Sequence, residues 1–598
     1  MQLLAYPRET ATLDGEWQAI PDQYEMFRDY FDDFVDDEDE DSAALPDSGD
    51  DDGKPALSFE SIYEPSASGN DDITDFNIYD GYSVDVPASW GEEIPEFRHF
   101  EGWVWFARTF DRAEIDEDDR TFLRFGAVNY RAEVWLNGER LGDHEGGYTP
   151  FSFEVTDHLR DGENVVVIRM DNERYEDGIP NESTDWFNFG GVNRSVDLVS
   201  VPETYVRNFK VETSVDGDDV DVRVEAWLDG PDTGAPASVS FPELGVDESL
   251  TSDGDGRLSA AFSLDRDDLT LWSPDTPRLY DVELTYGDDS VTDRVGLREV
   301  EVRGSDVLVN GEQVWLRGIA LHEEAAGKGR ALDVEDVQTR FQWLTELGCN
   351  FARLAHYPHT EEMARTADEE GILLWEEVPA YWDINFGDED IQELYRQQLR
   401  ELVQRDWNRA SVVLWSIANE TDHNDETRNE VLPEMADYVR TLDDTRLVTA
   451  ACFVDDTDDG LVIQDPLQDH LDVIGINEYF GWYYGDADDM EQFQEESDGT
   501  PVVISETGGG AKWGNHGSED ERWTEEHQAA IYRGQTGAAT ENDQIAGMSP
   551  WILFDFRAPM RQNEHQRGYN RKGVVDQHGR KKQAFHVLRE FYTADRAE

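Results

Sequence analysis

From about residue 304 to residue 598, helical stretches alternate with short apolar runs, and no other feature narrows the fold as far. The helical stretches include VEDVQTRFQWLTELG (334–348) and EDIQELYRQQLRELVQRDW (389–407). The apolar runs include ILLWEEV, VVLWSIA, LDVIGIN, PVVISE and SPWILFDF. Strands that alternate with helices form a parallel sheet, because a helix is the usual crossover that returns the chain to the same sheet edge. The length of this pattern predicts a (β/α)8 barrel over 304–598.

Upstream of the hairpin DVLVNGEQVWLRG the texture is all-β. Between about 75 and 202, TFLRFGAV, RAEVWLNGERL and ENVVVIRM are short runs rich in β-branched and aromatic residues, and Asn137-Gly138 marks a tight hairpin. These predict a β-sandwich within 1–202. A second β segment, 203–303, alternates in VDVRVEAWL and LYDVELTYG and has the length of an immunoglobulin-like sandwich. Three domains agree with a chain of 598 residues. Residues 32–54 (DDFVDDEDEDSAALPDSGDDDGK) read as a solvated acidic insertion in the first domain.

Charge excludes whole classes of partner. There are 135 acidic residues against 49 basic, a net charge of −86 spread along the chain, and such a field repels nucleic-acid phosphates and anionic membranes. Only seven residues are lysine (Lys54, Lys210, Lys328, Lys512, Lys572, Lys581, Lys582), and this Asp-rich, Lys-poor balance predicts a halophilic protein that unfolds on desalting. The start, MQLLAYPRETATLDGEW, lacks a basic, then apolar, leader, and no run reaches about 18 apolar residues, so the expected location is cytoplasmic. Cys349 and Cys452 sit in apolar stretches and are expected to be reduced and buried. No His- or Cys-rich spacing suggests a metal, and no cofactor is expected.

In a (β/α)8 barrel, polar residues at the C-terminal strand ends form the active site. Here those ends offer Glu376 and Glu377, Asn419-Glu420, Asn477 and Tyr479, Glu506, and Trp551 and Asp555. Glycosidic cleavage needs two carboxyls, one protonated towards the leaving oxygen and one ionised. Asn419, just before Glu420, is suited to a sugar 2-hydroxyl, and Glu506 runs into Thr507-Gly508-Gly509-Gly510, which is expected to leave open backbone around it.

WSIANE and VISETG resemble the acid/base and nucleophile motifs of glycoside hydrolase family two. The likeness extends through PASW, EGWVWFARTF, GGYTPFSFEVT, WSPDTPRLYDVEL and GCNFARLAHYPHTEEM. It implies a jelly-roll domain, an immunoglobulin-like domain and a catalytic TIM barrel, in the order read above. It also implies a retaining exo-β-glycosidase with Glu420 as acid/base and Glu506 as nucleophile, their carboxyls about 5–5.5 Å apart. Relatives of this kind often form dimers or tetramers, which leaves a homo-oligomer open. A non-catalytic carbohydrate-binding protein on the same scaffold would have lost one carboxylate; both are present.

The sugar must be read from the pocket. Residues 561–582 hold seven basic side chains (Arg561, Arg567, Arg571, Lys572, Arg580, Lys581, Lys582). Within them GYNRKGVVD resembles the Asn-x-Lys signature by which β-glucuronidases hold the sugar carboxylate, which nominates Asn570 and Lys572. TDWFNFGGVNRSVDL and GINEYFGWYYGD resemble the same branch and nominate Asp185, Asn477, Tyr479 and Tyr483 as sugar contacts. The resemblance adds His356 in AHYPH and the indole of Trp551. The expected substrate is a small-molecule or oligosaccharide β-D-glucuronide. SPWILFDFRAPMRQ departs from the usual wording of that branch, so a β-galactosidase, β-xylosidase or α-L-arabinopyranosidase stays open.

Overall fold

A computed structural model describes residues 8, 10–23, 78, 81–112, 120–231, 234–457, 460–489 and 499–594. The acidic segment 32–54 lies outside the described residues. The chain divides into two compact units, one holding Glu9–Glu173 with Phe189–Ser200, the other Arg174–Asn188 with Val201–Glu598.

The first unit is a β-sandwich. One antiparallel sheet runs, in spatial order, Tyr82–Val86, Gly15–Pro21, Trp103–Asp111, Glu163–Asp171, Arg131–Leu136, Glu139–Glu145; the other runs Thr10–Thr12, Val196–Val201, Arg120–Phe125, Phe151–Glu154. Glu163–Asp171 is buried along almost its whole length and pairs on both edges, which is why ENVVVIRM lacks simple alternation. The hairpin after Leu136 turns through Asn137 (φ 54°) and Gly138 (φ 92°), the left-handed pair that a two-residue turn matching strand twist requires.

The second unit begins with two four-stranded antiparallel sheets, Tyr205–Asp216, Asp219–Asp229, Arg257–Asp265, Thr251–Ser252 and Val246–Ser249, Ala237–Phe241, Tyr280–Tyr286, Asp289–Val295. In Asp219–Asp229 the inward Val220, Val222, Val224 and Ala226 share one core with Val282, Leu284 and Val291. Each buried valine or leucine contributes about 1.5–3 kcal/mol.

The barrel follows. Its elements are β1 (Leu316–Arg317 and Ala320–Leu321), α1 (Val334–Leu347), β2 (Phe351–Leu354), α2 (Glu361–Glu370), β3 (Leu373–Glu377), α3 (Glu389–Asp406), β4 (Val412–Asn419), α4 (Glu426–Leu442), β5 (Leu447–Cys452), β6 (Val473–Asn477), β7 (Val502–Glu506), α5 (Glu525–Glu541), β8 (Ile545–Met548) and α6 (Gln583–Thr593). The first half of β1 pairs in parallel with β8 and its second half with β2, so eight parallel strands close on themselves. Helix α1 starts at a capping box between Asp333 and Asp336 and ends at Gly348 (φ 81°), as its sequence demands. Between β5 and β6 a hairpin (Val454–Thr457 with Gly460–Ile463) and the short 3-10 turn Pro466–His470 replace the expected helix.

SPWILFDF is not a barrel strand; only its last residue, Phe556, enters a strand, the two-residue Phe556–Arg557 paired with Tyr569–Asn570. The eighth strand is the preceding IAGM, and Pro550, which has no N–H to give a ladder, ends it. The apolar run instead packs over the strand ends, with Trp551 N–H bonded to Thr507 O and Leu553 N–H to Ala320 O. Cys349 and Cys452 are free and buried, the surroundings pushing the Cys349 thiol well up. No helix among the described residues is long and apolar enough to cross a membrane.

Candidate active site

At the C-terminal ends of these strands the second unit opens a cavity of about 500 Å³. It is lined by Asp185, His356, Glu420, Asn477, Tyr479, Tyr483, Glu506, Trp551 and Lys572 among others. Nine of the eleven residues singled out from sequence therefore line one cavity, and the other two, Asn419 and Asn570, are hydrogen-bonded to lining residues, Asn419 to Asn477 and Asn570 to Asp185.

Glu506 is the last residue of β7. Its Oε1 accepts from Arg353 Nη1 at 2.9 Å and its Oε2 from the Tyr479 hydroxyl at 2.5 Å. Burial, and then the charge of Glu506, hold the Tyr479 hydroxyl well above the usual phenol range, so it stays a donor. His356 Nε2 lies 3.6 Å from the same Oε1. The glycines after Glu506 do not leave open backbone: a Cβ on Gly508 (φ 119°) would meet Tyr532 Oη at 2.5 Å, and one on Gly509 would meet Ile531 Cδ1 at 2.7 Å. They let the chain pass close to neighbouring side chains.

Glu420 follows β4 with φ 49°, a left-handed conformation rare for a side-chain-bearing residue. Trp382 has φ 55° and donates its indole N–H to Glu420 Oε2 at 2.8 Å. Two neighbours in such backbone, joined through their side chains, are strain concentrated at the cavity. Asn477 Nδ2 donates to Glu420 Oε1 at 3.1 Å and to Asn419 Oδ1 at 3.2 Å. Burial raises the Glu420 carboxyl above its ordinary range and the charge of Glu506 raises it further; the bonds from Trp382 and Asn477 oppose this without cancelling it.

The connecting piece is Arg353, which the sequence reading did not single out. Wholly buried on β2, it donates to Glu506, to Asn419 Oδ1 at 2.7 Å, and to both oxygens of Glu377 at 3.2 Å. Glu377 also meets His356 Nδ1 at 2.9 Å and accepts from Trp375 Nε1 at 3.0 Å. Burial would push Glu377 up, but Arg353, His356 and Trp375 together hold it down, at about 2. A cation in the middle of the buried run FARL was a visible signal, since an Arg is fully buried only where it is paired. Glu377 thus works through Arg353 and His356, whereas Glu376 turns towards Arg405 and Asp406, whose charges act on it, and burial drives its carboxyl well up.

The other end of the cavity is cationic. Lys572 Nζ donates to the Tyr483 hydroxyl at 2.8 Å and lies 4.6 Å from the centre of the Tyr479 ring. Arg561 grips Asp185 with its Nε 2.9 Å from Oδ1. Asn570 donates to Asp185 at 3.2 Å and accepts from the Lys572 backbone N–H at 3.1 Å, so it fixes the turn that carries Lys572. Asp185 comes from Arg174–Asn188, which belongs to the barrel's unit. Of the basic run 561–582, only Arg561 and Lys572 line the cavity. Asp555, expected at the mouth, is instead buried between Lys582 (2.7 Å) and Arg571 (3.1 Å). The cavity floor is aromatic: His356 stacks on Trp551 at 4.9 Å, and on Trp186 at 5.7 Å. Among the described residues no cluster of His, Cys, Asp and Glu could hold a metal ion.

Two carboxyls over an aromatic floor, one raised and one bonded on both oxygens, with cations at one end, can carry acid/base and nucleophilic chemistry on a polyhydroxylated anion. Residues 62–202 match "Glycosyl hydrolases family 2, sugar binding domain", 204–298 match "Glycosyl hydrolases family 2", and 300–594 match "Glycosyl hydrolases family 2, TIM barrel domain". A β-glucuronidase of Rattus norvegicus is 30% identical over 567 residues, covering 85% of this chain and 84% of the relative. The structure of Bifidobacterium dentium β-glucuronidase complexed with coumarin-3-O-glucuronide superposes with a TM-score of 0.83 at 25% identity, covering 98% of this chain and 97% of that one. A β-galacturonidase from Eisenbergiella tayi bound to galacturonate gives 0.77 at 26% identity, covering 86% and 93%.

Proposed function

This chain belongs to glycosyl hydrolases family 2, and on that premise we propose that it is a retaining exo-β-glucuronidase that releases terminal β-D-glucuronic acid by double displacement. Glu420 protonates the glycosidic oxygen while Glu506 attacks the anomeric carbon; water, deprotonated by Glu420, then hydrolyses the glycosyl-Glu506 ester. The raised Glu420 carboxyl supports its role as the acid, and Glu506, with both oxygens anchored, is aimed rather than free to rotate. Asn419 lies between Arg353 and Asn477 with its Nδ2 unused by protein groups, and we assign it the sugar 2-hydroxyl. Trp551 and His356 form the floor.

The observation that carries the uronate reading is Lys572, buried and aimed into the cavity of a protein with a net charge of −86. Its ammonium, with Arg561 beside it, is the partner a sugar carboxylate needs. Replacing Lys572 with Ala is expected to lower kcat/KM for 4-nitrophenyl β-D-glucuronide roughly 10- to 100-fold, the worth of a charged hydrogen bond. Its effect on the β-galactoside or β-xyloside should be much smaller. A proportional loss on charged and neutral glycosides alike would remove the uronate and leave a neutral-sugar enzyme.

Because Glu420 must be protonated, activity should fall as pH rises through its pKa. Trp382→Phe removes a donor that favours the charged carboxylate, so the alkaline limb of the kcat/KM profile should move to higher pH. A limb that stays put or moves down would separate it from Glu420. The acidic, lysine-poor surface belongs to the same proposal: a halophilic enzyme of a salt-rich cytoplasm.

A further inference from the structure

We propose that Gln528 and Lys582, neither of which lines the cavity, are positioning residues for the uronate: they tie the turn carrying Lys572 to the loop that follows Glu506. They thereby fix the span between the ammonium that holds the sugar carboxylate and the carboxylate that attacks the anomeric carbon. This rests on the glucuronidase reading. In a glucuronide the carbon bearing the carboxylate and the anomeric carbon flank the ring oxygen, so a rigid ring sets the span that the protein must match. A misplacement of about 1 Å can cost roughly 100-fold in rate.

The side chains of the turn diverge. Asn570 donates to Asp185, Arg571 reaches back to Asp555 at 3.1 Å, and Lys572 enters the cavity. The turn sits hard against the floor segment, since a Cβ on Gly573 would lie 2.2 Å from the Asp555 backbone nitrogen. Two side chains then join it to the nucleophile loop. Gln528, in the first turn of α5 and fully buried, donates its amide to Gly509 O at 2.8 Å and to Lys572 O and Gly573 O at 3.2 Å each. Lys582, also fully buried, donates to Ala511 O at 2.7 Å, to Arg571 O at 3.1 Å and to Asp555 Oδ1 at 2.7 Å. Arg571 O accepts as well from the Ala511 N–H at 2.9 Å. An ammonium has three donors, and here each meets a different segment: the nucleophile loop, the turn and the floor. In a chain with only seven lysines among 49 basic residues, a lysine stands where a compact three-donor head is needed, which a planar guanidinium cannot supply. Filling a core requires neither residue. A buried ion pair is often no more stabilising than an apolar isostere, and the Gln528 Oε1 is buried without a hydrogen-bond partner, a cost that a methionine would avoid. What the two polar groups supply is register between the loops.

A double-mutant cycle on the full-length enzyme in molar KCl, with 4-nitrophenyl β-D-glucuronide as substrate, tests this. Gln528→Met should lower kcat/KM about tenfold, chiefly through a higher KM, because the carboxylate is held in the ground state as well as in the transition state. In the Lys572→Ala background no ammonium is left to position, and the same substitution should cost less than about twofold. Lys582→Met with Asp555→Asn removes both charges of the pair together and still leaves Arg571 an acceptor. It should give the same pattern, and it carries the test if Gln528→Met does not fold. Equal losses with and without Lys572 would mean general damage to the loops and would overturn the proposal while the glucuronidase reading stood. So would no loss in either variant, or failure of both variants to fold. Failure of the unaltered enzyme to hydrolyse the glucuronide would instead overturn that reading.

Discussion

Glu506→Gln should lower kcat by more than about 10⁴-fold on every glycoside the enzyme accepts, because no neighbouring group can replace the nucleophile. His356, Tyr479 and Arg353 surround it, but each is positioned to hold a carboxylate and none to attack carbon. The fold should survive, since Gln keeps an acceptor for Arg353 and nearly the same volume. Glu420→Gln should behave differently. Loss of a general acid costs about 10²–10⁴-fold and depends on how much help the leaving group needs, so a dinitrophenyl glucuronide should be affected far less than a methyl glucuronide. Equal losses on both leaving groups would remove Glu420 from the acid role. Full activity of Glu506→Gln would remove the double displacement.

Dialysis from molar salt into dilute buffer should unfold the protein. With 135 acidic residues against 49 basic, the native surface holds carboxylates at close range. The Debye length grows from about 3 Å at 1 M to about 30 Å at 0.01 M, so their repulsion becomes long-ranged as salt is withdrawn. Self-repulsion of this kind opposes the compact state. The interior pairs are not what fails: Arg428 with Asp465, Lys582 with Asp555 and Arg353 with Glu506 are buried and little screened in either condition. If screening restores several kcal/mol, the melting temperature should rise by roughly several degrees between dilute and molar KCl. A melting temperature independent of salt, with activity retained after long dialysis, would contradict this.

The order of domains was legible because period-2 and period-3.6 patterns separate cleanly at the DVLVNG hairpin. The positions of Glu420 and Glu506 were legible for a related reason, since VVLWSIAN and VVISE are buried strands and the two glutamates fall at their C-terminal ends, which form the barrel mouth. The same rule failed at SPWILFDF, where apolar texture comes from packing over the strand ends, and so Asp555 was assigned to the mouth when it neutralises Lys582 and Arg571 below it. The strands β1, β2 and β5 lack a sustained apolar run: β1 is split into two-residue pieces, β2 (FARL) carries Arg353 in its middle, and β5 (LVTAAC) is diluted by Thr449 and small alanines. Trp382 left no local signal at all. Its role depends on a left-handed backbone and on the distance to Glu420, which are properties of the folded loops. The basic run 561–582 showed where to look, but only folding separates Arg561 and Lys572, which face the cavity, from Arg571 and Lys582, which hold it up.

Double displacement requires a covalent bond to one named side chain. Brief incubation with 2-deoxy-2-fluoro-β-D-glucuronyl fluoride in molar KCl, followed by proteolysis and mass spectrometry, should give a single peptide heavier by one fluoroglucuronyl group, with the added mass on Glu506. Stoichiometric inactivation with the label on any other residue, or an unlabelled protein that has nonetheless turned the reagent over, would contradict it.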